Sequence, residues 1–376
     1  MGPWKMLLAV LLFRSCAVSQ NRETPNLETN TAPMENPVAD LKQLVEEMVA
    51  PFINKEEHVG LSVALIEGAE IAYFHFGEVE KGSGVTPNNQ HIWEIGSISK
   101  TYTAVLVARY CELHDIGLET PVSEFLAEDC EPLIKDGKQL TLQHLLNHTS
   151  GLPRLPEDVF EEADEADPYA HYGREDILEY VCNFQLERVP GTYHEYSNLG
   201  FALLGILLER HSGKSYAELL EEYVLAPLGL KESYVELAAA DQQSQIAPYL
   251  ADGSPGSHWN MEAWAPTGAI QATMPDVARY AQAQLSGFGG ELETTLATTK
   301  TVTFTENDNL AVGQAWFTIS TPQFSWYFHN GGTGGFSSLL LVDPATNKGL
   351  VLISNNAFQE ESEVLGFQLF KAFTEH

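Results

Sequence analysis

The segment Gly96-Ser97-Ile98-Ser99-Lys100 places a hydroxyl and an amine at a spacing that could support nucleophilic catalysis. It precedes an apolar run, residues 103–108, that is typical of a buried helix. If this helix begins near Ser97, then Ser97 and Lys100 lie one turn apart on the same face. A desolvated lysine can take the proton of a serine hydroxyl, and the N–H groups of a helix start favour a developing oxyanion. The segment by itself is more simply explained as a polar helix start that carries an exposed lysine.

A second polar segment, Tyr196-Ser197-Asn198, stands just before an apolar helical run, residues 199–205. On a turn that leads into a helix, Tyr196 and Asn198 can both point into one cleft. A protonated lysine nearby would lower the pKa of Tyr196, because positive charge favours the phenolate, and the tyrosine could then exchange a proton with the serine. The alternative is that Tyr196 only packs at the helix start.

A third segment, His329-Asn330-Gly331-Gly332-Thr333-Gly334-Gly335-Phe336, follows strand-like residues 324–328. Glycines in a β context indicate that another group approaches the backbone closely. A strand edge at this point could pair with an extended substrate and lend an N–H group to an oxyanion hole. A glycine-rich hairpin turn would explain the glycines but not the histidine that precedes them.

In this order, Ser-x-x-Lys, Tyr-x-Asn and His-x-Gly resemble the motif set of the serine β-lactamase and penicillin-binding protein superfamily. The branch with tyrosine in the middle motif contains class C β-lactamases, D-Ala-D-Ala carboxypeptidases, D-aminopeptidases and β-lactamase-like esterases. Further matches are residues 93–96, residues 145–153 and Pro190-Gly191. The resemblance covers roughly residues 38–376 and implies a β-lactamase-like fold.

The resemblance also implies roles for particular residues. Ser97 takes the place of the acylated nucleophile, Lys100 that of its proton partner, and Tyr196 that of the general base that also protonates the leaving group. Substrate contacts are implied for Asn198, His329, Gly331 and Gly332, and the oxyanion hole would use the N–H groups of Ser97 and Gly332.

His329 departs from the β-lactamase pattern, which has lysine in this place. A lysine is a fixed cation suited to the carboxylate of a β-lactam, whereas histidine with an ordinary pKa of about 6.5 is only partly charged at neutral pH. Weak or absent β-lactamase activity is therefore expected. Histidine here is closer to the carboxypeptidase and esterase members.

The helices and strands that must position these residues are predicted from the periodicity of apolar side chains along the sequence. A first amphipathic helix is predicted from Val38, followed by a hairpin of residues 60–66 and 71–76. Residues 97–285 are mostly helical in pattern, with helices at 141–147, 174–184, 199–211, 216–224 and 274–285. Strands are predicted at 311–319, 324–328, 337–342 and 349–354, and a last helix at 361–374. The predicted class is α+β: an antiparallel sheet built from both ends of the chain, flanked by terminal helices, with the active site at its junction with the helical insert.

The amino-acid composition limits the classes of partner that this chain is expected to bind. The 376 residues include 52 Asp and Glu against 20 Lys and Arg, a formal net charge of −32. Nucleic acid and anionic membrane both require clustered basic residues, so neither is an expected partner. No phosphate loop or dinucleotide fingerprint occurs, and no cofactor is predicted. His144 and His148 have the spacing of two zinc ligands, but Leu145 stands where a zinc protease has glutamate, so no metal is predicted.

Residues 1–19 have the pattern of an export signal: Lys5, an apolar core at residues 6–13, and small residues before Gln20. Residues 20–37 are predicted to be a flexible N-terminus, and residues 38–376 the hydrolase domain. The expected location is periplasmic or secreted. Lipidation at Cys16, which would anchor the chain to a membrane, is the alternative, although Arg14 interrupts the apolar sequence that it requires.

Removal of the leader leaves Cys111, Cys130 and Cys182. One disulfide with one free thiol is an option, and Cys111 with Cys130 closes the shorter loop. Buried reduced cysteines are the other option.

The sequence therefore predicts an exported serine hydrolase that acts through an acyl-enzyme on Ser97. Its substrate would be a small peptide, an ester or a β-lactam-like amide. The alternative is a non-turnover protein that uses the same cleft as a sensor or scaffold.

Overall fold

The computed structural model describes residues 37–127, 130–161 and 163–375. The predicted signal peptide and the Cys16 lipidation site lie outside these residues, as does the predicted flexible terminus up to Pro37, where the first helix begins. No helix in these three ranges is long and apolar enough to cross a bilayer.

Helices make up most of the middle of the chain and both of its described ends. Their bounds are α1 Pro37–Ile53, α2 Ser99–Leu113, α3 Leu142–Leu146, α4 Arg174–Asn183, α5 Asn198–Ser212, α6 Tyr216–Leu220, α7 Ala226–Leu228, α8 Ala265–Gly268, α9 Met274–Ala283, α10 Glu293–Thr299 and α11 Gln359–Glu375. A single 3-10 turn, Gly96–Ile98, leads directly into α2.

The strands form one large sheet and two small ones. Their bounds are β1 Gly60–Glu67, β2 Glu70–Gly77, β3 Ile92–Glu94, β4 Ile134–Lys135, β5 Lys138–Gln139, β6 Ser233–Tyr234, β7 Gln271–Thr273, β8 Phe304–Asn307, β9 Leu310–Val312, β10 Phe317–Ser320, β11 Ser325–Gly332, β12 Ser337–Asp343 and β13 Lys348–Ser354. The large sheet has the antiparallel order β2-β1-β13-β12-β11-β10-β9-β8, so β1 from the N-terminal end pairs with β13 from the C-terminal end. The predicted α+β sheet built from both ends of the chain is confirmed.

The sheet has a hydrophobic core on each face because its strands alternate sides. In β1, Leu61 and Val63 pack with side chains of α1 and α11, whereas Ala64 and Ile66 belong to the core shared with the helical part. Burial on both faces explains why β1 reads as a nearly continuous apolar run. The predicted hairpin is confirmed, with Val63 of β1 opposite Phe74 of β2.

One predicted strand is wrong in detail, and one small sheet was not predicted. The continuous strand expected at 311–319 is two antiparallel strands, β9 and β10, because the chain turns between them with Ala315 at φ +64°. The N–H group of Ala315 instead donates to the carbonyl of Leu146 at 2.8 Å. The small sheet β3-β7-β6 escaped prediction because strands of two or three residues have no readable periodicity.

The suggested bridge between Cys111 and Cys130 is wrong. Cys130 is bonded to Cys182, and their Cα atoms are 4.9 Å apart. Cys111 is a buried free thiol within α2. Loop length suggested the wrong partner because three-dimensional proximity, and not separation along the chain, decides which thiols can meet.

Removal of this disulfide should destabilise the protein. A bridge across 52 positions restricts the unfolded chain, so a variant with Cys130→Ser and Cys182→Ser should lose about 2–4 kcal/mol of unfolding free energy in urea. A non-reducing peptide map should find the two cysteines linked and Cys111 alkylated only after unfolding. A map that links Cys111 to either residue would contradict the pairing.

Candidate active site

The Gly96–Ile98 turn before α2 lies in close contact with the end of β11. Gly96 has φ +51°, and a Cβ atom at this position would lie 2.7 Å from the backbone nitrogen of Gly332. A Cβ atom on Gly331 would lie 2.1 Å from the carbonyl oxygen of Ile95. Neither position tolerates a side chain without movement. The group that approaches these glycines is therefore the turn that carries Ser97.

Ser97 and Lys100 meet across one helical turn. The Lys100 Nζ donates to Ser97 Oγ at 3.2 Å and to the carbonyl oxygen of Thr267 at 2.7 Å. Lys100 is completely buried. Burial holds the pKa of Lys100 well below the ordinary lysine value, and the positive charge of Arg154 lowers it further. Burial consequently favours the neutral form of the amine next to the serine hydroxyl.

Tyr196 stands on a loop that residues 147–149 hold in place. The N–H group of Ser197 donates to His148 Nδ1 at 3.1 Å, and the N–H group of Glu195 donates to the His148 carbonyl at 2.8 Å. The His148 ring also stacks on Tyr196, with 4.3 Å between centroids. His148 adopts φ +59°, a conformation uncommon for a residue with a side chain. These contacts fix the position of Tyr196.

The expected lowering of the Tyr196 pKa is wrong. Burial raises the pKa of Tyr196 to about 12, and this outweighs the hydrogen bond with Ser97 and the charge of Arg154, which act in the opposite direction. The expectation assumed a charged lysine, but burial lowers the pKa of Lys100, whose Nζ lies 4.9 Å from the Tyr196 ring centroid, and so disfavours its charged form. Tyr196 is thus a neutral phenol in the resting site.

Asn198 is the first residue of α5. The Ser197 side chain caps this helix by accepting from the Gly200 N–H at 2.9 Å. Asn198 is 7% exposed and hydrogen bonds through its side chain to Tyr169. Its Oδ1 atom is buried without a partner within the described residues. It is therefore available to a group that enters the cleft.

His329 does not have the location expected of a charged residue that contacts the substrate. It is completely buried, its Nδ1 donates to the carbonyl of Asn330 at 2.6 Å, and its ring lies 6.3 Å from that of Tyr196. Burial, reinforced by the nearby Lys100, lowers the pKa of His329 to about 3. The expectation of a partly charged histidine at neutral pH is wrong, because the reference value for histidine applies only in water.

Two adjoining cavities meet at Ser97, and Arg154 and Gly332 also line both. The first, of about 250 Å³, is bounded by Asn198 and by apolar side chains that include Tyr169, Trp259, Met261 and Phe336. The second, of about 340 Å³, is bounded by Tyr196, Phe317, Asn330, Glu360 and Glu363. His329 and Gly331 line neither cavity.

Sequence reasoning missed the charged residues of the cleft. Arg154 directly follows Gly151-Leu152-Pro153, the end of a segment that carried the family resemblance, so its position offered a signal. Glu360 and Glu363 lie in the first turns of α11 and offered none. Glu363 accepts a hydrogen bond from Asn330 Nδ2. Burial raises the pKa of Glu363 to about 7 in spite of this bond.

The histidines with zinc-ligand spacing have other partners. His144 Nδ1 hydrogen bonds with Thr141 Oγ1 at 2.9 Å, and His148 Nδ1 accepts from Ser197. No group of three or more His, Cys, Asp or Glu side chains in the part of the chain that is described could hold a metal ion.

Comparison with known proteins agrees with this geometry. The β-lactamase family model matches residues 41–370. A β-lactamase of Escherichia coli is 24% identical over 95% of this chain and 96% of its own length. The D-alanyl-D-alanine-carboxypeptidase/endopeptidase AmpH of Escherichia coli is 28% identical, over 60% of this chain and 57% of its own length.

Solved structures share the fold. A class C β-lactamase mutant aligns with a TM-score of 0.78 at 21% identity, over 90% of this chain and 99% of that one. A β-lactamase/D-alanine carboxypeptidase from Pseudomonas syringae aligns with a TM-score of 0.77 at 20% identity, over 88% and 99%. With a family match over most of its length, the chain belongs to the β-lactamase family of serine hydrolases, which act on amide or ester bonds.

Proposed function

We propose that this protein is an exported serine hydrolase that forms an acyl-enzyme on Ser97 and cleaves a peptide or an ester, with weak or no activity on β-lactams. The observation that carries the proposal is the 3.2 Å contact between Ser97 Oγ and the Nζ atom of the completely buried Lys100. Export rests on the signal-like sequence of residues 1–19. The relative named as a D-alanyl-D-alanine-carboxypeptidase/endopeptidase is consistent with a peptide substrate.

In this proposal Lys100 and Tyr196 share the proton transfers. Neutral Lys100 takes the proton of Ser97 as Oγ bonds to the carbonyl carbon, and the carbonyl π electrons move to its oxygen. The tetrahedral intermediate then expels the leaving group, which takes a proton from the Tyr196 phenol, and Lys100 returns its proton to Tyr196. Water repeats the sequence to release the acyl group. A phenol with a pKa near 12 is suited to donate rather than to start as the base.

The oxyanion would be held by the N–H groups of Ser97 and Gly332. Support comes from the contact of their two segments at Gly96 and from the position of both residues along both cavities. Such donors stabilise charge that develops only in the transition state.

The wall of the second cavity argues against efficient β-lactamase activity. Its ionisable acidic residues are Glu360 and Glu363, and the histidine that replaces the β-lactamase lysine is buried and neutral. Among the described residues, the position at which the resemblance would place a fixed cation for a β-lactam carboxylate therefore holds no cation. Arg154 is the basic residue that lines this cavity, and it lies beside Tyr196.

Ser97→Ala should reduce kcat/KM on an activated ester by at least about a thousandfold, because the acyl-enzyme cannot form. The wild type should show a burst of product followed by steady release. Near wild-type turnover by Ser97→Ala would contradict the nucleophile. A single stoichiometric burst without further release would instead identify a non-turnover sensor.

A side-by-side comparison tests the substrate class. We expect a short-chain ester or a D-alanyl-D-alanine peptide to be turned over with kcat/KM at least about tenfold above that of a cephalosporin, since a neutral histidine stands at the position of the β-lactamase lysine. Kinetic assays of the three at one pH decide the matter. Cephalosporin as the preferred substrate would refute weak β-lactamase activity.

The pH dependence should follow Glu363 and not His329. Because the pKa of Glu363 is raised to about 7, this residue is neutral below that pH and negative above it. The kcat/KM for a D-alanyl-D-alanine peptide, divided by that for an uncharged ester, should therefore fall as pH rises through about 7. His329 stays neutral over this whole range because its pKa is about 3.

Two variants distinguish these groups. Glu363→Gln should flatten the pH profile of the ratio, whereas His329→Asn should keep the fall. The reverse pattern would show that a charged His329 holds the substrate carboxylate after all.

A further inference from the structure

Arg154 is a cation in the cleft with no assigned partner. Its guanidinium lies 5.0 Å from the Tyr196 ring centroid, and within the described residues the side chain has no ion pair or hydrogen bond. The side chain is exposed. In a chain with 52 acidic and 20 basic residues, an arginine without a carboxylate beside the nucleophile is unusual. Arg154 is thus free to meet an anionic group of the substrate.

The first cavity is built to accept part of a ligand. Its walls include the aromatic and apolar side chains of Tyr169, Trp259, Met261 and Phe336, and Arg154 is the charged residue among its described lining residues. Two polar atoms of this lining, Asn198 Oδ1 and Thr333 Oγ1, are buried without partners although their residues are only 7% and 8% exposed. Unsatisfied buried polar atoms are costly unless a ligand or water pairs with them. The cavity therefore offers polar contacts together with an apolar surface.

The position of Tyr196 distinguishes the roles of the two cavities. Tyr196 lines the second cavity and not the first, and in the proposed reaction it protonates the leaving group. The leaving group therefore occupies the second cavity, against Glu360 and Glu363. The acyl group occupies the first, against Arg154 and the aromatic wall. At about 250 Å³, that cavity takes a short group rather than a whole large ligand.

We propose that Arg154 is a specificity residue that selects substrates whose short acyl group carries a carboxylate. The inference rests on the proposed acyl-enzyme function at Ser97. The two cavities differ in charge, because Arg154 is the charged residue that lines the first, whereas in the second the same guanidinium is accompanied by Glu360 and Glu363. A carboxylate on the acyl group meets the fork of Arg154 without a competing carboxyl group, whereas a carboxylate on the leaving group also meets Glu360 and Glu363.

Two esters that share a leaving group test the proposal. Mono-4-nitrophenyl glutarate and 4-nitrophenyl valerate have acyl chains of equal length, and only the former ends in a carboxylate. The wild type should prefer the glutarate ester in kcat/KM. In Arg154→Gln the glutarate-to-valerate ratio should fall by about 10- to 100-fold, the range of a hydrogen-bonded charge contact. Arg154→Lys should retain part of the preference, because it keeps the charge and loses the fork.

Arg109→Gln is the matched control. It removes one arginine whose partner is Glu112 on α2, away from the residues that line the cleft, and the ratio should stay at the wild-type value. The Arg154 backbone accepts hydrogen bonds from Asn198 and Leu199, which side-chain substitution preserves, and thermal unfolding of Arg154→Gln checks that it folds.

The possible outcomes distinguish the role of Arg154 from the proposed hydrolase function on which that role rests. Equal wild-type rates on both esters, abolished by Ser97→Ala, would overturn the role of Arg154 and leave the hydrolase intact. An equal loss on both esters in Arg154→Gln would also overturn it and would show that Arg154 acts only through Lys100 and Tyr196. A wild type that acylates with neither ester would contradict the proposed function, and the role of Arg154 with it.

Discussion

The close contact between the Gly96–Ile98 turn and the end of β11 is the constraint on which the site depends. It joins an early segment of the chain to a late strand, and it exists only because Gly96 and Gly331 lack side chains. The adjoining strands keep this contact rigid, since β11 pairs with β12 over its last residues, from His329 to Gly332. Ser97 is thereby fixed beside Gly332, with the helical part on one side and the sheet on the other.

Burial then decides the charges at the centre of the site. The pKa of Lys100 is lowered by its location in the core, Tyr196 stays protonated and His329 stays neutral, and in all three the largest cause is the loss of hydration. A centre of neutral acids and bases can exchange protons at low cost. The charged groups lie in the cavity walls, where Arg154 and Glu363 have charges of opposite sign.

The segment around His148 shows how packing and function overlap. His148 is completely buried and lines neither cavity. Its hydrogen bonds to residues 195 and 197 nevertheless set the conformation of the loop that carries Tyr196. Thr149 contributes a further bond, since its carbonyl accepts from the N–H group of Gly191 at 2.8 Å.

The sequence by itself was sufficient to predict the family, the α+β class and the β1–β2 hairpin, because local periodicity and motif spacing are written along the chain. Motif spacing also grouped Ser97, Lys100 and Tyr196, which the structure places close together. It was insufficient for the Cys130–Cys182 bridge, the protonation of Tyr196 and His329, and the charged walls formed by Arg154, Glu360 and Glu363. Each of these depends on which distant groups become neighbours and on how much water they lose. Only the tertiary structure decides those two quantities, because desolvation and proximity are properties of the packed chain and not of its order.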